Sequence, residues 1–301
     1  IFPASPMPKA DLQNLPEAHP PLNSARMALD AFDEIGGLNM AAQDPAELQQ
    51  ALEKLARARE QVIGSSFELP WIESPFFEAV LAQAALPQHL EIFCRFYQRQ
   101  GFAKLDYRGT PVLQLCQDIP GQMQPFAHIP KHLTNAWREL EGVKALACSD
   151  SLLALLRLLY LRTPIPYQTL NFRYGSEQEI HDDSIFFSSA PARYMCGVWF
   201  ALEDVDADNG PLRYIPGSHR LPFQDIHDMG LAPEHHFYSD RQEPYQRYMR
   251  AHLAANALKP VEFHVRCGQA LIWSSHLLHG GCPIRTPGRT RFSQVSHYFF
   301  E

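Results

Sequence analysis

The sequence predicts a mainly β protein with flanking helices: a double-stranded β-helix (jelly roll) core with an N-terminal helical region. Three observations carry that expectation. From residue 168 onward the chain breaks into short segments rich in aromatic and β-branched residues, such as "QTLNFRY", "RYMCGVWFALEDV" and "QALIWSSHLL", a composition that fits a pleated, half-buried surface. Turn formers ("DADNGP", "IPGSH", "RTPGRT") separate them, as in a sandwich or barrel, of which the jelly roll is the commonest double-sheet form. Ahead of residue 163, apolar residues instead recur at helical spacing.

Taken in order, residues 1–23 ("IFPASPMPK", "HPPLN") are proline-rich and read as an extended arm. From Pro45, "PAELQQALEKLARAREQVI" combines helical spacing with good helix formers. A second helix fits "LPQHLEIFCRFYQRQ", with Gly101 as its C-terminal stop, and "GFAKLDY" then reads as the first strand. Helical stretches follow around 132–142 and 149–162, the latter apolar nearly all round and therefore buried. "SIFFSS", "PLRYIPGS", "VEFHVRCG" and "RFSQVSHYFF" complete the strands. A His/Tyr/Arg-rich segment, 221–260, interrupts them and reads as a lid or binding loop. This divides the chain into an N-terminal arm and helical extension, 1–85, and a jelly-roll domain, 86–301, carrying the insertion.

Composition narrows the function classes. Twenty-six Lys plus Arg against 33 Asp plus Glu give a net charge of −7, which argues against a nucleic-acid backbone binder. "SLLALLRLLYLR" is too short for a membrane span and is broken by Arg157. No basic region precedes an apolar one as in a secretory signal, and the end "HYFFE" is no peroxisomal address. The six cysteines lie far apart with no C-x-x-C pair, as expected of free thiols in a reducing cytoplasm.

The stretch "EIHDDSIFF" places a histidine and two carboxylates directly before an aromatic run. Charged groups seldom enter an apolar strand without a partner. In an extended chain residues two apart share a face, so His181 and Asp183 aim at one point while Asp182 faces away. A third ligand from a neighbouring strand would complete two histidines and a carboxylate on one face of a metal, the arrangement suited to non-haem Fe(II). "WSSHLLHGG" offers His276 and His279, whose odd separation puts them on opposite faces if the strand stays extended. On spacing alone the bland alternative stands: Asp183 caps a turn and His181 bonds to a backbone carbonyl.

Further residues give the pattern a context. His181-x-Asp183 is followed by Pro191, Trp199-x-Ala201-x-Glu203, Asn209-Gly210-Pro211-Leu212, Pro216-Gly217-Ser218-His219-Arg220 and "SSHLLHGG". In this order they resemble the phytanoyl-CoA dioxygenase family of Fe(II)/2-oxoglutarate oxygenases, over about residues 86–301. The resemblance assigns the third iron ligand to His279, so that His181, Asp183 and His279 form the catalytic metal set. It also places an arginine on the strand "RTRFSQVSHYF", where Arg291 is the match. "PIRTPGRTR" is one residue longer than the family's common loop, and Arg289 is therefore a rival.

The resemblance implies Fe(II), 2-oxoglutarate and O₂ as cofactor and co-substrates. The distal carboxylate of 2-oxoglutarate needs a buried cation, and an arginine fork suits it. Trp199 would border that pocket, Ser293 would add a hydroxyl donor, and Gln168 and Asn171 on the preceding strand are further candidate contacts. His219, in a turn motif, reads as structural. His235 and His236 in the insertion read as an exposed pair. A retained carboxylate at Asp183 favours hydroxylation over halogenation.

The expected function is hydroxylation of an unactivated C–H of a small-molecule metabolite, with release of succinate and CO₂. Two other readings are a cupin-like jelly-roll metalloenzyme that uses no 2-oxoglutarate and a non-catalytic binding protein on the same fold. Residues 1–85 are read as either a dimerisation element, giving a homodimer, or part of the substrate wall.

Overall fold

The computed structural model describes residues 37–65, 68–129, 132–187, 189–222 and 242–301. The proline-rich arm and the stretch of the insertion containing His235 and His236 lie outside them. Among the described residues, two sheets form the β core. The larger has seven strands in the order β1-β2-β8-β5-β10-β4-β3 and the smaller has three, β7-β6-β9. Their ranges are β1 Leu38–Asn39, β2 Phe102–Asp106, β3 His132–Thr134, β4 Pro164–Phe172, β5 Met195–Ala201, β6 Leu212–Tyr214, β7 Val261–Phe263, β8 Gln269–Ser274, β9 His279–Gly281 and β10 Ser293–Phe300. The neighbours β8, β5, β10 and β4 are antiparallel, and none of the three pairs joins strands consecutive in the chain, the crossing-over expected of a jelly roll.

Helices support the larger sheet. The helix α1, Pro45–Val62, starts where the Asp44 carboxylate accepts the Ala46 N–H at 2.9 Å and Pro45 occupies the first turn. It buries Leu48, Ala51, Leu55 and Ala58, one apolar stripe, against α2, Phe77–Ala84, and α6, Asp150–Tyr160. These residues belong to the same hydrophobic core as Val198 and Phe200 of β5, and the Trp71 indole donates to the Leu158 carbonyl at 3.1 Å. The helix α3, Gln88–Gln100, ends on Gly101 at φ 77°, the left-handed stop its sequence predicts. Two further helices, α4 (Pro111–Gln122) and α5 (Glu141–Ala147), pack on each other.

Three expectations need correcting. The helix placed at 132–142 is the edge strand β3 followed by a short 3₁₀ turn, and α5 begins only at Glu141. Leu133, Ala136, Trp137 and Leu140 mimic helical spacing, but Asn135 sits at φ 56° and exchanges hydrogen bonds with Thr169 on β4. "SIFFSS" is not a strand: Asp183–Ile185 is a 3₁₀ turn. Asp182 stops the extension because its carboxylate accepts the Ile185 N–H at 3.2 Å and the Ser184 hydroxyl. "GFAKLDY" is the second strand in chain order, since Leu38–Asn39 pairs parallel to it.

The described end of the insertion is the helix α7, Gln242–Ala255. It docks on the loop that carries His181: the Tyr245 hydroxyl accepts the Asp182 N–H at 3.0 Å, and Arg250 pairs with Glu179 at 2.8 Å. All six cysteines are free.

Candidate metal and co-substrate site

His181 and His279 face each other across a two-way backbone pair. Each N–H donates to the other's carbonyl at 2.9 Å. Asp183 is held by its own N–H, which donates to the Ser275 carbonyl at 3.0 Å in the turn leading to β9. The three side chains are buried, and one ligand atom from each lies within 4.8 Å of the others. Both imidazole Nε2 atoms are 3.7 Å from Asp183 Oδ1. Each Nδ1 lies against a backbone carbonyl, Glu179 at 2.8 Å for His181 and Leu277 at 2.9 Å for His279. An Nδ1–H donated there leaves the Nε2 lone pair free to point at a cation.

The electrostatics favour a cation at this point. Burial alone would raise the Asp183 carboxyl, but the imidazoles of His279, His297 and His181 hold it well below the usual carboxylate range. Burial outweighs the attraction of Asp183 at His279 and pushes that imidazole down to about 4, so it is neutral and lone-pair-bearing near pH 7. A buried carboxylate facing a neutral His279 imidazole is a donor set short of a positive charge. A divalent ion fits it.

The same cavity, about 380 Å³, contains Arg291, Trp199 and Gln168. Arg291 is 2% exposed. Its Nη1 donates to the Ser293 hydroxyl at 2.9 Å, while Nε has no hydrogen-bond partner among the described residues, nor does the Trp199 indole N–H. Burial pushes the guanidinium down to about 10, against the pull of nearby Glu203; it remains charged at neutral pH. Gly175, at φ 80°, leaves the space it occupies, because a Cβ there would come within 2.7 Å of Nη2. A buried cation beside two unsatisfied donors fits an incoming carboxylate. Arg289 lies elsewhere, paired with Asp206 at 3.0 Å on the surface.

The other predicted residues divide similarly. Gln168 lines the cavity and its Oε1 is 3.2 Å from His297 Nδ1. Asn171 is turned away from it, donating to Gln294 at 3.0 Å. His219 Nε2 lies 2.9 Å from the Gln98 carbonyl, consistent with a structural part, and His276 is not in the cavity that holds His279. Two turn motifs brace Arg291: Glu203 accepts the Thr290 hydroxyl at 2.8 Å and the Phe292 N–H, and Asn209 donates to the Thr290 carbonyl at 3.1 Å.

Sequence reasoning missed two residues. Trp273 on β8 donates its indole N–H to Asp183 Oδ2 at 2.8 Å. His297 on β10 is 3.6 Å from the same oxygen. The alternation Arg291-x-Ser293-x-Val295-x-His297 carried the second signal, because it sets all four on one face.

Known structures share this fold. EctD from S. alaskensis, solved with 2-oxoglutarate and 5-hydroxyectoine, superposes with a TM-score of 0.53 at 18% identity, covering 68% of this chain and 74% of that one. The carbocyclase SnoK from nogalamycin biosynthesis, described as non-heme and alpha ketoglutarate dependent, gives 0.52 at 17%, covering 68% and 82%. Among curated proteins, phytanoyl-CoA dioxygenase domain-containing protein 1 of Mus musculus is 34% identical over 80 residues, 25% of this chain and 28% of that protein. Its Dictyostelium discoideum homolog is 44% identical over 55 residues, 18% and 19%. The matched stretch thus spans little more than a quarter of these relatives at most. No described helix is long and apolar enough to cross a membrane. The model of the family Phytanoyl-CoA dioxygenase (PhyH) matches residues 41–293, most of the chain, and the chain belongs to that family.

Proposed function

We propose that the chain is an Fe(II)- and 2-oxoglutarate-dependent dioxygenase that hydroxylates an unactivated C–H of a small molecule, releasing succinate and CO₂. One observation carries this reading: the His181, Asp183 and His279 cluster shares a cavity with a buried arginine that pairs with no carboxylate among the described residues. A cupin-like enzyme without a 2-oxo acid gives that arginine no task.

In this reading His181, Asp183 and His279 would hold the iron. Arg291 grips the distal carboxylate of 2-oxoglutarate, with the Trp199 indole and the Ser293 hydroxyl beside it. Bound there, iron and 2-oxoglutarate together activate O₂ and supply the oxidant for the C–H bond. The protein orients the co-substrate through Arg291, fixes the substrate carbon and keeps water out with Phe186, Phe187 and Leu212, which line the cavity. Residues 86–301 make up the catalytic unit, and the preceding helices brace it.

The test is anaerobic loading with Fe(II) followed by O₂ and 2-oxoglutarate, with succinate as the readout. Succinate formation that needs iron and disappears in Asp183→Ala supports the assignment; iron-loaded protein that never consumes 2-oxoglutarate refutes it.

A further inference from the structure

Strands β10 and β4 pair Ser293 with Phe172, Val295 with Leu170, and His297 with Gln168, and of these Phe172, Leu170, Gln168, Val295 and His297 line the cavity. Side chains alternate along a strand, so these pairs present one face, polar at both ends and apolar in the middle. The ends are about 13 Å apart, four residues at the usual strand rise. Arg291 and Ser293 occupy one end. His297 and Gln168 occupy the other, beside Asp183. A 2-oxoglutarate running from the metal toward Arg291 leaves the His297–Gln168 end uncovered.

That end has its own chemistry. The Gln168 carbonyl oxygen meets His297, and its amide N–H group, without a hydrogen-bond partner among the described residues, is left for a ligand. The Phe187 ring lies 4.7 Å from the His297 ring, and Phe186 lies 5.7 Å from the His181 ring. Among the described residues lining the cavity, Arg291 is the only guanidinium or ammonium group, and it is committed to the co-substrate. Asp183 Oδ2 lies 3.6 Å from His297 Nε2; with a divalent ion bound, the charges of Asp183 and of the metal-binding carboxylate of 2-oxoglutarate offset the ion's, so this end offers an anion no surplus positive charge.

Resting on the oxygenase reading above, we propose that Gln168 and His297 form the substrate-recognition pair, and that they take an uncharged molecule bearing a hydroxyl or carbonyl group on an apolar ring or chain, packed on Phe186 and Phe187. The cavity holds this reacting portion together with 2-oxoglutarate, so that portion is compact. Gln168 is then a specificity residue for the substrate and not a co-substrate contact.

The experiment uses the full chain loaded with Mn(II) and 2-oxoglutarate, which binds without turning over. Paramagnetic relaxation of the protons of cyclohexanol and of cyclohexanecarboxylate is measured, with bound Mn(II) and 2-oxoglutarate affinity followed in the same samples. Cyclohexanol should relax strongly and the carboxylate weakly. Gln168→Leu should weaken the cyclohexanol effect about fivefold, the worth of one neutral hydrogen bond, with 2-oxoglutarate affinity unchanged. His297→Phe, which keeps the ring, should do the same.

Stronger relaxation of the carboxylate, or a Gln168→Leu protein that loses 2-oxoglutarate and keeps cyclohexanol, overturns the proposal. So does unchanged relaxation in both variants with Mn(II) still bound, which leaves the oxygenase reading standing. A wild-type chain that binds no Mn(II) fails the oxygenase reading itself, and this proposal falls with it.

Discussion

Trp273 donates its indole N–H to Asp183 Oδ2 at 2.8 Å while Asp183 Oδ1 faces both imidazoles at 3.7 Å. The two oxygens of one carboxylate thus have separate tasks. An indole is a donor only and does not titrate in this range, so it holds Oδ2 in place and leaves Oδ1 for a cation. Replacing it with Phe keeps an aromatic ring and deletes the donor. Trp273→Phe is expected to weaken Fe(II) binding about 10–100-fold, the usual cost of losing a hydrogen bond to a metal ligand. Anaerobic equilibrium dialysis measures this, and unchanged affinity would show that packing alone positions the carboxylate.

Gly197 makes room for that indole. A Cβ on Gly197 would collide with Trp273 Cε2 and Cζ2, in a strand buried along its whole length. Gly197→Ala should therefore cost about 1–3 kcal/mol of stability, the range for overpacking a core, and also weaken metal binding. Denaturant unfolding reads the first effect and dialysis the second. A stable variant with normal affinity contradicts the wedge.

Arg291 and Arg289 are separated by one residue and should behave as opposites. Arg291→Ala removes the buried guanidinium and is expected to raise the apparent 2-oxoglutarate requirement at least about thirtyfold, the low end for truncating a buried charge pair. Arg289→Ala breaks a surface pair with Asp206, worth little, and should leave that requirement unchanged. Titrating 2-oxoglutarate at fixed iron separates them, and the reverse result would mean that the other arginine holds the co-substrate.

His276 supplies a pH dependence outside the proposed ligand set. Burial first, then the nearby Arg193 charge, push its imidazole from 6.5 down to about 4. Between these values the unfolded chain takes up a proton that the folded one refuses. Stability is then fully present above pH 6.5 and falls as pH drops toward 4, by up to about 3 kcal/mol from this group. Denaturant midpoints across that window should slope downward with acid, and His276→Gln should flatten the slope.

Much of this was legible in the sequence, for reasons that differ by residue. The even spacing of His181 and Asp183 suggested a shared target, but only the family resemblance chose His279 over His276, and Asp183 and His276 lie in turns and not on extended strands. Gly101 ended its helix because a left-handed stop needs no partner from elsewhere in the fold. The failures had both tertiary and local causes. Leu133, Ala136, Trp137 and Leu140 carry a helical period that the pairing of β3 with β4 overrides, and "SIFFSS" is turned by the Asp182 side chain. Helix α4 was overlooked, although Thr110 accepting the Val112 N–H and Pro111 in the first turn are an ordinary start signal. Trp273 was not visible as an Asp183 partner, because they are 90 residues apart.

The central claim is that His181, Asp183 and His279 bind one ferrous ion together. Anaerobic Fe(II) titration of the wild-type chain and of the His181→Ala/Asp183→Ala double variant, with bound iron counted after dialysis, tests it most directly. The account predicts one tightly held ion per chain in the wild type and none in the variant. Tight iron retained by the double variant would contradict it.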